Sequence, residues 1–447
     1  MIAHKISQFL CLSSQNKKVI FASLGIIFLF CLRQGVILTP DSGTYISLSP
    51  VRIGLYPLTI LLFLSIFKGY ALQALVVFQL GFAITASYHL ATFLRSTFNL
   101  PAFMHWVFIA TFLSPLIVFK SANEIMSEGL AYPLFLVSSY FLLKGVVSKN
   151  IKCLLAFSFS IFLLSFTRQQ YLFFYGIGVV SFLFLFFFAK DFHKNTFYLL
   201  SIFLSLGSFF LAERSYHLLV HHSFSQTPFV GCQFIIRPLF LATEDSYKDF
   251  TNPSERRHIK ETVDEMLDRK ILEKDPTHRG SDHYSVYFTP IAKIFVKSID
   301  KIWEHEYKKN DPFQYTKVID HQVTSMALTL ISHNFFNYIK SYAKDIIYGF
   351  GGSIYLILCF SLAVYFLFRV LFLNEKNMFL VSFILAALIH FGNLAVICLF
   401  EPPLTRYTYS TSTLLGSLIF IIGYQSIKFL TLINRFDMEK KCNDHRS

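Results

Sequence analysis

The sequence predicts an all-α polytopic membrane protein with about ten transmembrane helices, an interfacial helix and one large, mainly helical outer loop. Of the 447 residues, 54% are hydrophobic and only 15% are charged, and the mean hydropathy is +0.51. A soluble domain of this size carries roughly 25% charged residues. The apolar residues also fall in runs long enough to cross a bilayer, and the 54 Phe residues suit helix surfaces that face lipid.

Ten apolar segments are long enough to span the roughly 30 Å hydrocarbon core of a membrane. They are 19–38, 71–94, 102–119, 129–147, 153–166, 171–189, 196–212, 346–368, 379–400 and 409–427. An eleventh stretch, Leu55–Phe67, is shorter and has Pro57 near its start.

Lysine and arginine residues assign the sides of these segments, because cytoplasmic loops carry an excess of both. Lys17 and Lys18 precede the first segment, and several basic residues from Lys428 to Lys441 follow the last. Both termini are therefore predicted to be cytoplasmic. The basic turns between the segments agree with this only if Leu55–Phe67 does not cross, so we expect that stretch to lie in the outer interface.

The segments divide the chain into three regions: an N-terminal membrane module (1–212), a large outer loop (213–345) and C-terminal transmembrane helices with a cytoplasmic tail (346–447). The loop holds more than half of the 27 acidic residues and has the polar character of a soluble domain. Amphipathic patterns predict helices around 256–271 and 291–307. The sequence Asn252-Pro253-Ser254-Glu255 is typical of a helix start.

The net charge of +13 has two interpretations, nucleic-acid binding or the positive-inside bias of a membrane protein. No block of Lys and Arg or RNA-binding signature accompanies the charge, so the lipid bilayer is the expected partner and nucleic acid is not. The seven cysteines are scattered, and only Cys232 lies in the large loop, so no disulfide framework is predicted there.

Charged groups near membrane depth are costly to keep and therefore suggest function. Asp41 directly follows the first segment, within Thr39-Pro40-Asp41-Ser42-Gly43-Thr44-Tyr45. It has two interpretations: a helix N-cap, or a carboxylate that serves as a general base toward a hydroxyl. The residues of this kind at the predicted outer ends are Asp41, Arg52, Glu124, Glu128, Arg168, Glu401 and Arg406.

Glu124 and Glu128 would share one face if residues 121–128 were helical. They have two interpretations, favourable acids at a helix N-terminus, or carboxylates that orient sugar hydroxyls. Asp41 and Glu128 together are candidates for holding a divalent cation.

Arg168 occupies a very short outer turn, and Arg406 precedes the last segment together with Tyr407. Each arginine has two interpretations. The side chain either extends to the interface as an anchor, or its planar guanidinium binds phosphate in a two-pronged fashion.

At these residues the chain resembles the GT-C superfamily of membrane glycosyltransferases, and more narrowly the protein O-mannosyltransferases and lipid A aminoarabinose transferases. The acidic first outer loop of that branch matches the segment from Asp41 to Tyr45. Its Arg- and Pro-containing interfacial segment matches Arg52-Ile53-Gly54-Leu55-Tyr56-Pro57-Leu58, and its second acidic outer loop matches the segment with Glu124 and Glu128. The stretch 330–339 resembles the helix before the span that follows the large loop, and Arg406-Tyr407 resembles a late outer-loop pair.

The resemblance implies a sugar donor on polyprenyl phosphate, a glycan, lipid or protein acceptor, and inversion at the anomeric carbon. It implies Asp41 as the base, with substrate contacts from Tyr45, Arg52, Glu124, Glu128, Arg168, Arg406 and Tyr407. A cell-envelope role at a bacterial inner membrane, with the site facing the periplasm, follows from the same resemblance. Many relatives have two adjacent acids where this chain has Asp41 followed by Ser42.

Two other functions fit a protein of this kind. A lipid-linked glycan polymerase or ligase also uses polyprenyl carriers and outer-loop arginines. A transporter or flippase is the non-enzymatic alternative, but the middles of the predicted spans are nearly free of charge, whereas ion-coupled carriers usually place ionisable groups there.

Overall fold

A computed structural model of the protein describes residues 15–189, 192–228, 230–271, 283–307, 312–373 and 378–444. All regular elements in these ranges are helical, apart from one isolated bridge between Ile37 and Glu124. Seven helical stretches are long and apolar enough to cross a membrane. The chain is therefore an all-α membrane protein.

The first half of the chain is built mostly from long apolar helices. They are α1 (Gln15–Leu32), the short α2 (Ser42–Ile46), α3 (Leu55–Phe67), α4 (Ala71–Thr97), α5 (Ala102–Val118), α6 (Glu128–Ser148), α7 (Ile151–Thr167), α8 (Phe173–Ala189) and α9 (Phe192–His221). A 3₁₀ turn, Gln169–Leu172, joins α7 to α8.

Shorter and more polar helices follow, and three long ones close the chain. They are α10 (Val230–Phe234), α11 (Ile236–Phe240), α12 (Pro253–Asp268), α13 (Thr289–Tyr307), α14 (Pro312–His333), α15 (Phe335–Gly349), α16 (Ser353–Phe372), α17 (Met378–Phe400) and α18 (Thr405–Asp444). A π-helical turn, Tyr284–Phe288, leads into α13.

Each predicted span coincides with a helix, but some boundaries were wrong. The first was predicted to reach residue 38, whereas α1 ends at Leu32, just before Gly35, which has a φ of +68°, and Ile37 bonds to residues 123 and 125. The predicted span 346–368 starts too early, since α15 ends at Gly349 and α16 begins at Ser353. Gly351 and Gly352 separate them at φ +89° and +117°, where side chains are disfavoured.

The predicted boundary at residue 212 lies inside α9, which continues to His221. Three of the predicted spans (α1, α5 and α7) form apolar helices shorter than the seven long ones.

Leu55–Phe67 forms a helix of its own, as expected from its separate apolar run. Its 13 residues span roughly 20 Å at 1.5 Å per residue, less than the thickness of the hydrocarbon core. The chain breaks at Lys68, whose φ is +49°, before α4 begins. Its position in the outer interface stays a prediction.

The polar loop has a hydrophobic core separate from that of the long apolar helices. α12 starts as predicted, with Pro253 in the first turn and the Asn252 side chain accepting a hydrogen bond from the Ser254 amide at 2.9 Å. The predicted amphipathic helices are confirmed as α12 and α13, whose apolar faces contribute buried residues such as Val263 and Phe295 to this core.

Candidate functional site at one end of the helix bundle

A buried asparagine joins the first loop to the segment before α6. The Asn123 side-chain amide donates to the carbonyls of Cys31 at 2.9 Å and Gly35 at 2.8 Å. The Ile37 amide donates to the Asn123 carbonyl at 2.9 Å, and the Ile125 amide donates to the Ile37 carbonyl at 3.0 Å. These bonds hold the loop that carries Asp41 against the start of α6.

The Asp41 side chain binds an arginine. One Arg52 nitrogen, Nη2, lies 2.8 Å from Asp41 Oδ1, and Arg52 Nε donates to Thr44 Oγ1 at 2.7 Å. Arg52 also covers the Tyr45 ring at 4.4 Å from the ring centroid. Asp41 is the N-cap residue of α2, as one interpretation expected, but its side chain makes no capping hydrogen bond.

A chain of polar contacts runs from this pair to Arg168. The Tyr45 hydroxyl lies 3.1 Å from Ser127 Oγ, which in turn donates to Glu128 Oε2 at 3.4 Å. Glu128 Oε1 pairs with Arg168 Nη1 at 2.5 Å. Both side chains of this ion pair are largely buried, with 11% and 19% exposure.

Burial opposes the charge of Arg168, but the Glu128 carboxylate and nearby tyrosines raise its pKa above the ordinary value. Arg168 is therefore a cation held in place by a carboxylate, and it is not a free interfacial anchor.

The two predicted phosphate-binding arginines meet at one aromatic ring. The guanidinium carbon of Arg168 lies 5.0 Å from the Tyr407 ring centroid, and that of Arg406 lies 4.6 Å from it. Arg406 Nη2 also donates to the Tyr407 hydroxyl at 2.5 Å.

Two amide side chains fix the backbone of Tyr407, because Gln170 and Asn393 donate to its carbonyl at 3.2 and 3.0 Å. The sequence offered no signal for these supporting amides, since each lies far from Tyr407 along the chain or inside an apolar helix.

Glu124 and Glu128 do not share a helix face, because residues 121–127 are not helical. α6 begins at Glu128, and Glu124 lies in the isolated bridge with Ile37. The backbone bonds to the first loop keep this segment out of the helix. Desolvation, aided by the nearby Glu128 charge, raises the pKa of Glu124.

A cavity of about 410 Å³ opens beside these contacts. Seven of its lining side chains are polar or aromatic groups from these contacts and from the end of α17: Tyr45, Arg52, Ser127, Arg168, Gln170, Glu401 and Tyr407. The polar loop adds Thr227, Val230 and Gln233 to the wall. Asp41, Glu124, Glu128 and Arg406 are not part of the lining, but all except Glu124 contact a residue that is.

Glu401 was noted in the sequence only as a charged residue at a helix end, without a role. It follows α17 and precedes two buried prolines, Pro402 and Pro403. Desolvation raises the pKa of its carboxyl to about 7, against the opposing charges of Arg406 and Arg168. Within the described residues its carboxylate has no ion pair within 4 Å and no hydrogen bond, although it lines the cavity.

The predicted cation site does not fit the residues present. The described part of the chain has no group of three or more His, Cys, Asp or Glu side chains that could hold a metal ion. Asp41 and Glu128 each face an arginine instead. Charge compensation at this site therefore comes from guanidinium groups.

No protein family matches the sequence, and no curated protein or solved structure is significantly similar to it. The function is therefore inferred from the geometry of the site and the chemistry of its residues.

Proposed function

We propose that this protein is a membrane glycosyltransferase of the GT-C kind, which moves a sugar from a polyprenyl-phosphate donor to a hydroxyl of a glycan, lipid or protein acceptor. The observation that carries the proposal is the convergence of Arg52, Arg168 and Arg406 with two tyrosines beside one cavity. A lipid phosphate brought to the end of a helix bundle needs such cations, because its charge cannot be buried unpaired.

The phosphate would bind at Arg168 and Arg406. A guanidinium has five N–H donors in a planar fork, and Arg168 gives one nitrogen to Glu128 at 2.5 Å. Its remaining donors are available to phosphate oxygens. Tyr407 holds the two cations on a common ring, which places them to stabilise the charge that develops on the departing phosphate.

The acceptor hydroxyl would attack the anomeric carbon in one displacement, with inversion. The new bond forms between the hydroxyl oxygen and that carbon while the bond from the carbon to the phosphate oxygen breaks, and Asp41 accepts the hydroxyl proton. Arg52 lines the cavity and binds Asp41 at 2.8 Å, so it positions the base next to the cavity.

The proposal includes a topology. The distribution of lysine and arginine supports ten spans with both termini in the cytoplasm and α3 in the outer interface. The site then faces the periplasm of a bacterial inner membrane, where a lipid-linked donor can enter from the side between helices.

The test is a transfer assay in membranes that contain the full chain, with a panel of radiolabelled polyprenyl-phosphate sugars and with Arg168→Ala as the comparison. Transfer from one donor that depends on Arg168 supports the proposal. Consumption of polyprenyl pyrophosphate-linked glycans alone would instead indicate a polymerase or ligase. Membranes that leave every donor intact, while vesicles move a lipid-linked sugar across the bilayer, would refute it in favour of transport.

A further inference from the structure

The proposed reaction assigns no role to one carboxylate that lines the cavity, that of Glu401. Glu401 begins the connection from α17 to α18 and lines the same cavity as Arg168 and Tyr407. Asp41 and Glu128 each bind an arginine, whereas the Glu401 carboxylate has no such partner among the described residues. The buried Pro402 and Pro403 follow it and limit the freedom of the backbone there.

Several charged or titratable groups act on Glu401 from the surrounding elements. The positive charges come from three arginines on three different elements, and they favour the ionised carboxylate, while Glu128 and desolvation oppose it. The groups are Arg168 before the 3₁₀ turn, Arg237 in α11, Glu128 in α6, Tyr284 in the π-helical turn, Cys398 in α17, and Arg406 and Tyr407 in α18.

We propose that Glu401, in its protonated form, is the general acid that assists departure of the polyprenyl phosphate. This inference rests on the proposed transferase function. As the bond between the anomeric carbon and the phosphate oxygen breaks, its electron pair stays on that oxygen, and the Glu401 proton moves to the phosphate. Asp41 meanwhile takes the proton of the acceptor hydroxyl, and solvent exchange restores both carboxyl groups before the next turnover.

The environments of the two acids suit this division of roles. A pKa of about 7 keeps a substantial share of Glu401 protonated at neutral pH. The second ionisation of a phosphate monoester has a pKa of about 6, so the donor and acceptor of the proton are closely matched. Asp41 is instead paired with Arg52. Two carboxyl groups in contrasting environments are the usual arrangement for an acid and a base in one site.

The kinetic test compares pH profiles of the full-length enzyme. In the wild type, turnover should fall as pH rises through about 7, because the acid form is lost. Glu401→Gln should lose roughly 10²-fold or more in turnover, and its pH profile should lack the fall on the alkaline side (the alkaline limb). Glu401→Asp should keep this alkaline limb at a reduced rate. Glu244→Gln, which removes an exposed carboxylate of the polar loop, is the matched control and should behave as wild type. An unchanged alkaline limb in Glu401→Gln would overturn the assignment.

A binding test separates this inference from the proposed function. Undecaprenyl phosphate is titrated into the purified protein in nanodiscs by calorimetry, near pH 7 and in buffers of different ionisation enthalpy. A bound phosphate anion favours protonated Glu401, so wild type should take up more protons on binding than Glu401→Gln, with the difference disappearing at pH 5. Equal proton uptake by both proteins would refute the role of Glu401 alone. Failure of both proteins to bind undecaprenyl phosphate would refute the transferase function and this inference with it.

Discussion

Replacing Arg168 separates its role in charge balance from its role in binding substrate. The Arg168–Glu128 pair is short, at 2.5 Å, and both side chains are largely buried. Arg168→Met keeps much of the apolar volume but leaves the Glu128 charge buried without its partner. Removing one member of a buried ion pair costs about 3–5 kcal/mol of stability. Adding Glu128→Gln removes the stranded charge, so the double variant should recover about 2 kcal/mol or more, as expected for groups in contact.

The stability assay uses the buried free cysteines, which include Cys31 and Cys398. A thiol-reactive dye reports their exposure as the protein is heated in detergent, and the two single variants and the double variant complete a double-mutant cycle. Activity is measured on the same preparations against donor concentration.

Transfer should fall roughly 10²- to 10³-fold in Arg168→Met, the usual effect of losing one charge-stabilising donor. The double variant should not regain it. Arg168→Lys should fall between wild type and Arg168→Met, because lysine keeps the charge but loses the planar fork. A double variant that recovers both stability and transfer would mean that Arg168 only balances Glu128, and it would refute the phosphate-binding role.

Three further predictions concern the base, the topology and the glycine break. Asp41→Asn should lower transfer at least about 100-fold while the protein still inserts and folds; a well-folded variant with a near-normal rate contradicts the base assignment. Cysteines at Gly43 and Tyr70 should react with an impermeant thiol reagent added outside, whereas one at Ser148 should be protected; labelling of position 70 only from the cytoplasm contradicts the interfacial position of α3. Gly352→Ala should destabilise the protein by about 1–3 kcal/mol in the dye assay, because φ is +117° there, and an unchanged melting temperature contradicts that expectation.

Hydropathy predicted the long helices well, because a span must satisfy its backbone groups internally and expose apolar side chains to lipid. It could not predict the contacts that the chain makes beyond a helix end. α1 ends just before Gly35, which has a φ of +68°, and Ile37 then pairs with the segment around Asn123, more than eighty residues away. The same pairing keeps Glu124 out of α6. No local pattern of residues carries information about that pairing.

The charged residues of the candidate site could be identified from the sequence. A charged group near membrane depth costs free energy and is rarely retained unless it has a function. Their partners were not predictable in this way. Asp41 was expected to be either a cap or a base, and the structure pairs it with Arg52. Glu401 gained a role only from its position in the cavity with Arg168. Pairings between distant loops depend on the packing of several helices, which one sequence does not specify by pattern.

The charge balance of the site links the two proposals. Arg52 is compensated by Asp41 and Arg168 by Glu128, whereas Arg406 has no carboxylate within 4 Å among the described residues and contacts Tyr407 instead. The protonation state of Glu401 therefore determines the net charge of the site. With Glu401 ionised, three acids balance three arginines; with Glu401 protonated, the cluster has one excess positive charge and favours an anion. Directly after the transfer, Glu401 is ionised and Asp41 carries the acceptor proton. Once solvent removes that proton, three acids again balance three arginines and the hold on the lipid phosphate weakens, so the ionisation of Glu401 both accompanies departure and promotes release of the product.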